Sequence, residues 1–553
     1  MSNVKGKSDM NPTESKTTRM VGNFLDGSRE IPESSSSSME LDRAEKTRCH
    51  KSAMHGDGKS DKCIVPEKST NLDGVPPSLE TTEERHLTNE KAKHKSLDRA
   101  QNRNKDGKPS GPRSRGLLGI REAAQKDKNL RFHNLFSHLT PELLRTSFFE
   151  LQKYASPGVD GEMWHDYLKE VEHRIEDLHE RIHRGKYRAQ PSRRVYIAKA
   201  DGKQRPLGIA ALEDKIVQRA TRTILEQIYE TCFRGYSYGY RPRRGAHNGL
   251  DALVVAIKQQ NVNWILDADI RGFFDNISHS WLIKFLEHRI SDQRMLRLLK
   301  KWLKAGVSED GQWSKTEIGT PQGAVISPLL ANVYLHYVLD LWIEDWRKRT
   351  ARGTVIIVRY ADDFILGFSS ETEAKLCLEA LRERLVKYGL ELHPDKTRLI
   401  EFGRRAAQNR KDRGEKPPET FDFLGFTHIC GQTRKGQFTV HRRTSHKKLQ
   451  TKLKDLSEKL QKLVRKDIAE TGGWLASVYQ GWCQYYAVPG NYNCLSRFQK
   501  ALQSMWLRQL QRRSQRGKRL TWKRFKGICN RWLPNPRILH PYPEDRFARQ
   551  HQR

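Results

Sequence analysis

The sequence has few cysteines and no long apolar run. Its eight cysteines, among 553 residues, form no Cys-x-x-Cys pair and show no regular spacing. Neither a disulfide framework nor a zinc site is therefore expected. No apolar segment approaches the roughly 18 residues that a membrane-spanning helix needs. The N-terminus lacks the apolar core of a signal peptide, and its acidic residues argue against an organellar transit peptide. We expect no membrane partner and a cytoplasmic location.

Acidic residues are scarce relative to basic ones. The chain has 101 Lys and Arg against 66 Asp and Glu, a formal net charge of +35. Such a field attracts polyanions, of which nucleic acids are the commonest large class. The excess is concentrated, because 36 Lys and Arg stand against 11 Asp and Glu between Lys396 and Arg553. A merely soluble surface would mix both signs, so this region is predicted to bind phosphates.

Composition divides the chain into three segments. Residues 1–115 are rich in Ser, Lys, Glu and Gly and poor in aromatics, which predicts a disordered tail. Residues 116–430 alternate between helical and strand patterns, which is typical of an α+β domain. Residues 431–553 are predicted to be helical, since leucines recur at steps of three and four between Leu449 and Leu463.

Two groups of carboxylates lie in apolar surroundings. Ala361-Asp-Asp363 stands between apolar runs in Thr354–Phe368 and is predicted to form the tight turn of a buried hairpin. Upstream, Asp267 and Asp269 alternate in the strand-like Trp264–Ile270 and so project to one face. A single Asp pair in a turn usually reflects only the preference of Asp for turn conformations. Two pairs together predict a divalent-cation site, which suits Mg²⁺. Two Mg²⁺ roughly 3.5–4 Å apart are used by polymerases for in-line phosphoryl transfer.

The motifs around these carboxylates resemble those of reverse transcriptases. Tyr360-Ala-Asp-Asp363 is similar to the catalytic hairpin of that family. The other motifs follow in the order of the family: Arg205-Pro-Leu-Gly-Ile209, Ser237-Tyr-Gly-Tyr-Arg-Pro242, Asp269-Ile-Arg-Gly-Phe-Phe-Asp-Asn-Ile277, Gly319-Thr-Pro-Gln-Gly323, Ser327-Pro-Leu-Leu-Ala-Asn332 and Phe423-Leu-Gly-Phe426. Ala324 and Ala210 depart from the common pattern without removing a charged group.

Two further blocks resemble the proteins that group II introns encode. Ala155-Ser-Pro-Gly-Val-Asp-Gly161 is similar to an N-terminal block of group II intron and non-LTR enzymes. The C-terminal motifs look like the maturase-specific domain: Gly481-Trp-Cys-Gln-Tyr-Tyr486, Arg497-Phe498, Leu520-Thr-Trp522 and His540-Pro-Tyr-Pro543. The resemblance covers roughly residues 117–547.

The resemblance implies an α+β, right-hand polymerase fold: fingers and palm, followed by a C-terminal α-helical thumb and maturase domain. It implies an RNA-directed DNA polymerase, a nucleotidyltransferase that extends a DNA primer with dNTPs on an RNA template. It also implies that the protein binds its group II intron RNA, assists RNA splicing, and supports retrohoming of this mobile element into target DNA.

The resemblance also assigns roles to individual side chains. Asp269, Asp362 and Asp363 become the catalytic carboxylates that hold two Mg²⁺ ions. Asp267 becomes a structural neighbour of this site, and Asp275 a local cap.

Five further residues are assigned to nucleotide binding. Lys199 and Arg205 resemble residues of the fingers that hold the triphosphate. Phe274 stands where the family places an aromatic ring under the sugar, which would clash with a ribose 2′-OH. Gln322 should approach the nucleotide. Lys396 resembles a lysine proposed to protonate the leaving pyrophosphate, although an ordinary surface lysine is an almost equal alternative.

Cations and aromatic residues interleave between residues 505 and 537. Cations neutralise phosphates, whereas the aromatics either stack on unpaired bases or form the core of a helical bundle. For most of the aromatics we expect the second. The RNA-binding candidates are Arg512, Arg513, Arg516, Lys518 and Arg519.

Two alternative functions stay open. One is a non-catalytic splicing maturase, against which the presence of all three expected carboxylates argues. The other is a domesticated reverse transcriptase of a retron, diversity-generating or CRISPR-linked system. The last stretch of the sequence contains no paired metal-ligand spacing. We therefore expect no DNA endonuclease in this chain, and priming from an existing DNA end.

Overall fold

A computed structural model describes residues 112–198, 204–309 and 311–550. The predicted tail, residues 1–115, lies outside the described residues except for its last four, which belong to a helix that begins at Pro112. Lys199 also lies outside them. No helix in the described ranges is long and apolar enough to cross a membrane.

The described residues form a mixture of helices and strands, as the sequence predicts. The helices are α1 (Pro112–Lys126), α2 (Pro141–Phe149), α3 (Trp164–Leu168), α4 (Val171–His183), α5 (Leu212–Tyr229), α6 (Ala246–Gln259), α7 (His279–Glu287), α8 (Gln293–Lys304), α9 (Ser327–Leu335), α10 (Leu341–Arg349), α11 (Glu371–Lys387), α12 (Arg404–Asp412), α13 (His446–Lys462), α14 (Ile468–Tyr486), α15 (Tyr492–Gln511), α16 (Gln515–Lys518), α17 (Trp522–Cys529) and α18 (Pro543–Gln550).

The strands belong to three sheets. They are β1 (Ser192–Ala198), β2 (Gln204–Ile209), β3 (Trp264–Asp269), β4 (Val307–Glu309), β5 (Gln312–Ser314), β6 (Val355–Tyr360), β7 (Asp363–Phe368), β8 (Arg398–Glu401), β9 (Phe421–Phe423), β10 (Phe426–Gln432) and β11 (Phe438–Thr444). The sheet orders are β2-β1-β4-β5, β6-β7-β3-β8 and β11-β10-β9.

The central sheet, β6-β7-β3-β8, is antiparallel throughout. Its two apolar strands β6 and β7 are almost completely buried, which is why they read as continuous hydrophobic runs. Helix α6 packs on β6, and α11 packs on β3 and β7. The register pairs Asp269 at the end of β3 with Asp363 at the start of β7. The fold therefore brings the two predicted carboxylate groups to one end of one sheet.

The helical part begins later than the sequence predicts. The expected boundary between residues 430 and 431 falls inside β10, which pairs with β9 and β11. These short strands continue the strand-rich part to Thr444, and α13 follows at His446. The leucine repeat lies on α13, as expected, with Leu456 and Leu460 buried. Strand β11 and the end of β10 escaped the composition argument, because polar residues interrupt their apolar pattern.

The C-terminal segment returns to helix α6 of the strand-rich part. Helix α18 packs along α6, where Lys258 pairs with Glu544. The buried carboxylate of Asp251 on α6 receives Arg442 of β11 at 2.6 Å and Arg546 of α18 at 3.2 Å. One carboxylate thus ties together a helix, a strand and the C-terminal helix that are far apart in sequence.

Candidate active site

A two-residue turn presents the Asp pair. Ala361 and Asp362 connect β6 to β7, and Tyr360 pairs with Asp363 across the turn. Ala361 has a φ of +58°, a left-handed conformation that is uncommon for a residue with a Cβ. Such strain persists only where surrounding structure enforces it. The turn is therefore held by its neighbours rather than by its own preference.

A buried ion pair helps to keep the turn at Ala361 in its left-handed conformation. The guanidinium of Arg359 donates to both carboxylate oxygens of Asp340, at 2.8 and 2.6 Å, and both side chains are fully buried. The same guanidinium donates to Asn332 Oδ1 at 3.0 Å and to the Ala361 carbonyl at 3.1 Å. Burial opposes ionisation of Asp340, but Arg359 and His336 keep its pKa below the ordinary value. The network anchors the carbonyl of the strained turn residue.

The motif Ser237-Tyr-Gly-Tyr-Arg-Pro242 lies against this turn. Tyr238 N–H donates to the Arg359 carbonyl at 2.8 Å, which pairs the segment with the edge of β6. A Cβ on Gly239 would lie 2.4 Å from the Ala361 nitrogen, so only glycine allows this approach. Asn332 Nδ2 donates to the Gly239 carbonyl at 2.8 Å. Two motifs that are separated by more than a hundred residues thus shape one turn.

Asp269 lies opposite the hairpin and carries an ammonium partner. Lys396 Nζ is 2.6 Å from Asp269 Oδ2, and the lysine side chain is 60% exposed. The loop that holds Lys396 is fixed to the end of β3, because His393 N–H donates to the Asp269 carbonyl at 2.8 Å. The structure therefore brings the side chains of Asp269, Asp362, Asp363 and Lys396, which come from three different segments, together in one site.

The carboxylates of the site perturb one another. Burial, followed by the charges of Asp362 and Asp269, raises the pKa of Asp363 to about 7, although the residue is exposed to solvent at the end of β7. Burial and Asp269 also raise the pKa of Asp362, while Arg205 and Lys396 oppose that rise. Three crowded carboxylates hold a proton unless a cation replaces it. The donor set thus fits a divalent cation.

Asp267 occupies the same face of β3 but has a different partner. Arg398 approaches its carboxylate at 3.4 Å. Burial raises the pKa of Asp267 to about 6, with contributions from Asp422 and Asp269 in the same direction. Over the described ranges, no three His, Cys, Asp or Glu side chains converge closely enough to form a metal-ligand group. Binding of a cation would therefore require the carboxylates to move closer together.

Three of the nucleotide-binding candidates, Arg205, Gln322 and Phe274, lie on three segments that are hydrogen-bonded to one another. Arg205 is exposed on β2 and close enough to Asp362 to affect its pKa. Gly208 of β2 donates to the Gln322 carbonyl at 2.7 Å. Thr320, in the same loop, donates to the Phe274 carbonyl at 2.8 Å. The loop that contains Gln322 therefore bridges β2 and the half-buried Phe274.

A cavity opens next to Asp363 on the side of the helical part. Its volume is about 430 Å³. The lining residues are Asp363, Asp422, Leu424, Gly425, Ser445, Lys448, Tyr485 and Tyr486. Tyr485 Oη donates to the carbonyl of Leu424, whose φ is +49°. Sequence reasoning marked Phe423–Phe426 as a motif but gave Asp422, Lys448 and Tyr485 no role, since nothing local links them to Asp363.

The five RNA-binding candidates lie apart from this group in the chain, at the end of α15 and around α16. Four of them are exposed, and none forms an ion pair with another described residue. Arg513 is partly covered and donates to the carbonyl of Lys466. Among the interleaved aromatics, Trp506 and Phe525 are fully buried, whereas Trp522 is 46% exposed. Trp532 is half-buried and packs against the core, so three of the four interleaved aromatics belong to the core, as expected.

Comparisons with known proteins identify the family. The family described as "Reverse transcriptase (RNA-dependent DNA polymerase)" matches residues 197–428. The group II intron-encoded protein LtrA of Lactococcus lactis subsp. cremoris is 38% identical over 249 residues, 43% of this chain and 41% of LtrA. The protein YkfC of Escherichia coli K12 is 35% identical over 338 residues, 53% of this chain and 87% of YkfC. The chain belongs to the family of group II intron reverse transcriptases and maturases.

Membership of this family confirms the resemblance that the motifs carry. Reverse transcriptases generally use divalent metal ions, in agreement with the carboxylates at the end of the central sheet. Nuclear intron maturase 2 of Arabidopsis thaliana is also similar, at 31% identity over 109 residues, 19% of this chain and 15% of that protein. The match to LtrA spans about two fifths of LtrA's length.

Proposed function

We propose that this protein is an RNA-directed DNA polymerase that also binds its group II intron RNA to assist splicing and retrohoming. The observation that carries the proposal is the placement of Asp269, Asp362 and Asp363 at one end of the central sheet. Burial, followed by the charges of Asp362 and Asp269, raises the pKa of Asp363 to about 7, and a bound cation would relieve this crowding of carboxylates.

In this proposal the parts of the fold take the roles of a right-handed polymerase. The sheet β2-β1-β4-β5 and its helices form the fingers, and the central sheet with α6 and α11 forms the palm. Helices α13–α15 form the thumb, and the segment after α15 completes the maturase domain. The +35 net charge and the exposed cations near α16 support nucleic acid as the partner of these surfaces.

Asp269, Asp362 and Asp363 would hold two Mg²⁺ ions. When bound, the ions would stabilise the charge on the attacking and leaving oxygens of an in-line displacement. The protein contributes the fixed end of β3 and the strained turn, which keep the carboxylates together before any ligand binds. Arg359 and Gly239 hold the turn, so its carboxylates need not reorganise over a long distance.

Four described residues and Lys199 are proposed to receive the dNTP. Arg205 and Lys396 are both close enough to Asp362 to lower its pKa, and their positive charges would neutralise a triphosphate there. Lys396 is within a hydrogen bond of Asp269, so its ammonium can reach the phosphates or donate a proton to leaving pyrophosphate. Phe274 is proposed to exclude the ribose 2′-OH. Gln322, bonded to β2, would line the same nucleotide.

The cavity beside Asp363 is proposed to hold the 3′ end of the DNA primer. It opens between the hairpin and helix α14, and its lining includes the ammonium of Lys448 and the ring of Tyr485. A cation and an aromatic ring suit a phosphate and a sugar-base unit. The RNA template, target DNA and the intron RNA would be held by the exposed cations of the C-terminal region, including Arg512 and Arg516.

Primer extension tests the polymerase assignment. The wild type should extend a DNA primer on an RNA template with dNTPs and Mg²⁺. Asp362→Ala should abolish synthesis, because loss of one ligand uncouples the metal pair. Asp345→Ala is a matched control, since Asp345 is exposed on α10 and pairs only with Arg349.

The outcomes separate the proposal from its alternatives. Near-normal synthesis by Asp362→Ala would show that the carboxylates are assigned wrongly. A wild type that assists splicing but never extends a primer would instead be a non-catalytic maturase. A wild type that extends primers but does not bind or splice its own intron would be a domesticated reverse transcriptase.

A further inference from the structure

A second cavity lies at the junction of α13 and α14, outside the group of carboxylates. Its volume is about 320 Å³, within the range of small-molecule and base-sized pockets. The lining residues are Lys459, Lys462, Leu463, Lys466, Glu470, Thr471 and Trp474. We call it the α13–α14 pocket.

The walls of the α13–α14 pocket combine an aromatic ring with a hydroxyl group that has no hydrogen-bond partner among the described residues. Trp474 is half-buried on α14, and Leu463 closes the end of α13. Thr471 is 1% exposed, and its hydroxyl has no hydrogen-bond partner among the described residues. A buried, unpartnered hydroxyl costs free energy unless some ligand or water completes it. The pocket therefore offers a flat apolar surface beside a polar group without a partner.

The rim of the pocket is positively charged. Lys462 makes no ion pair with a described residue, whereas Lys459 and Lys466 are paired with Asp455 and Glu470 at 3.0 Å. Both paired lysines are 55% exposed, and such surface pairs are weak and easily exchanged for a phosphate. Lysines in the last turn of α13 are also favoured by the helix dipole. That preference explains the lysines but not the cavity, Trp474 or the free hydroxyl.

The pocket is continuous with the candidate RNA-binding residues. Arg513 donates to the carbonyl of Lys466, which places the end of α15 against the loop between α13 and α14. Two basic segments that are about fifty residues apart in sequence therefore share one surface. A polyanion bound along that surface would pass the mouth of the pocket.

We propose that the α13–α14 pocket takes one unpaired base of folded RNA, stacked on Trp474. The base edge would use the Thr471 hydroxyl, and the flanking phosphates would contact Lys459, Lys462 and Lys466. RNA is favoured because single bases in bulges and loops can leave the helix, stack on an aromatic ring and stay close to cations. The proposal rests on the proposed RNA-binding function and specifies where a base, rather than only the backbone, is read.

The test compares two labelled RNA hairpins, one with a single bulged adenosine and one fully paired. Binding to the full chain is followed by fluorescence anisotropy. The wild type should bind the bulged hairpin more tightly. Trp474→Ala should reduce that preference by about 5- to 150-fold, the range for one stacked base, and leave the paired hairpin unaffected. Trp474→Phe should retain most of it.

Control variants test whether the effect of Trp474→Ala on the binding preference has another cause. Trp313→Ala removes an exposed indole on β5, outside the pocket, and should leave the preference unchanged. A melting curve for each variant checks that it is folded. Thr471→Val, which keeps the shape but removes the hydroxyl, should weaken binding of the bulged hairpin only.

Several outcomes would overturn the proposal. Equal loss of both hairpins in folded Trp474→Ala would make the residue part of a general surface. An absence of preference in the wild type would also exclude a site for an RNA base. The proposed function fails differently, since a wild type that binds neither hairpin would refute RNA binding as a whole.

Discussion

At the scale of single residues, the candidate active site holds like charges close together. Asp363 lies beside Asp362 and Asp269, and burial with these neighbours raises its pKa to about 7. Lys396 and Arg205 offset part of the repulsion. The ammonium of Lys396 lies 2.6 Å from Asp269 Oδ2, and the lysine side chain is 60% exposed. The site is therefore a cluster of three carboxylates whose negative charge two cations offset only in part.

Phe274 carries a residue-scale prediction about sugar selection. Phe274→Ala should raise the efficiency of ribonucleotide incorporation relative to dNTPs by about 10- to 200-fold, as expected when a pocket loses a bulky wall. The measurement is the ratio of kcat/KM for the two nucleotides on one primed template. Phe149→Ala, which removes a half-exposed ring on α2, is the control. Unchanged discrimination by Phe274→Ala would mean that another residue guards the sugar.

At the scale of elements, the hairpin between β6 and β7 depends on a network buried beneath it. Arg359 extends from β6 to Asp340, to Asn332 and back to the carbonyl of Ala361. The segment that contains Gly239 lies against the outer edge of the same turn. These contacts impose a left-handed conformation on Ala361 and so fix the direction in which Asp362 points.

A double substitution separates the stability of this network from its positioning role. Arg359→Ala should lower the free energy of unfolding by about 3–5 kcal/mol, because it leaves the buried charge of Asp340 unpaired. Arg359→Met combined with Asp340→Leu should recover most of that loss, since apolar pairs of similar volume often replace buried ion pairs. Primer extension should remain slow in the double variant, because the Ala361 carbonyl still lacks its donor.

The comparison needs two measurements, a denaturant titration and a single-turnover rate. Recovery of both stability and rate in the double variant would show that the network is only structural. Recovery of stability alone is the expected result. Because the double variant is designed to fold, the prediction stays testable even where Arg359→Ala is too unstable to purify.

At the scale of the whole molecule, the C-terminal segment closes onto the strand-rich part. His247 on α6 lies 4.1 Å from the ring of His540 and 5.0 Å from that of Tyr485. Asp251 meets Arg442 and Arg546 nearby. The junction therefore joins α6, β11, α14 and the segment before α18. Its stability should influence the relative placement of helices and sheet.

Acid should weaken this junction. Burial, followed by the charges of His540, Arg546 and Arg442, lowers the pKa of His247 to about 3 from 6.5. Because the folded pKa is depressed, the stabilisation is complete above pH 6.5 and is lost as the pH falls toward 3. His247→Phe should flatten the fall in melting temperature over that window. His133→Phe replaces an exposed histidine and should leave the fall in melting temperature unchanged. Equal melting temperatures of the wild type and His247→Phe at every pH would contradict the prediction.

Splicing assistance and polymerisation should be separable across the molecule. Replacing Arg512, Arg513, Arg516, Lys518 and Arg519 with Ala should weaken binding of the intron RNA. The slope of log K for this binding against log salt concentration should become less steep by roughly 0.7–0.9 for each phosphate contact that is removed. The variant should still extend a short primed template, because the carboxylates are untouched. Asp362→Ala should show the opposite pattern.

A control variant distinguishes local contacts from net charge. Lys375, Arg382 and Lys387 are exposed on α11, and their replacement with Ala removes three positive charges elsewhere, against five in the test variant, so the loss of binding is compared per charge removed. Intron binding should fall much less in this variant. Loss of both activities in both folded test variants would contradict the division into two modules.

The sequence by itself determined the features that are local in the chain. Apolar runs on both sides of Ala361-Asp-Asp363 predicted the hairpin, because burial of β-branched and aromatic residues selects strands. The leucine spacing predicted α13, and the order of the motifs predicted the family. These features are readable because periodicity and turn chemistry depend on residues within about ten positions.

Only the tertiary structure decided which distant side chains meet. Lys396 reaches Asp269 across 127 positions, and Arg442 reaches Asp251 across 191. Neither partner can be chosen from local pattern, since Lys and Arg are common and a buried carboxylate accepts whichever cation the packing delivers. The strands after residue 430 and the α13–α14 pocket escaped prediction for the same reason. Their residues acquire a role only where separate elements close around a shared space.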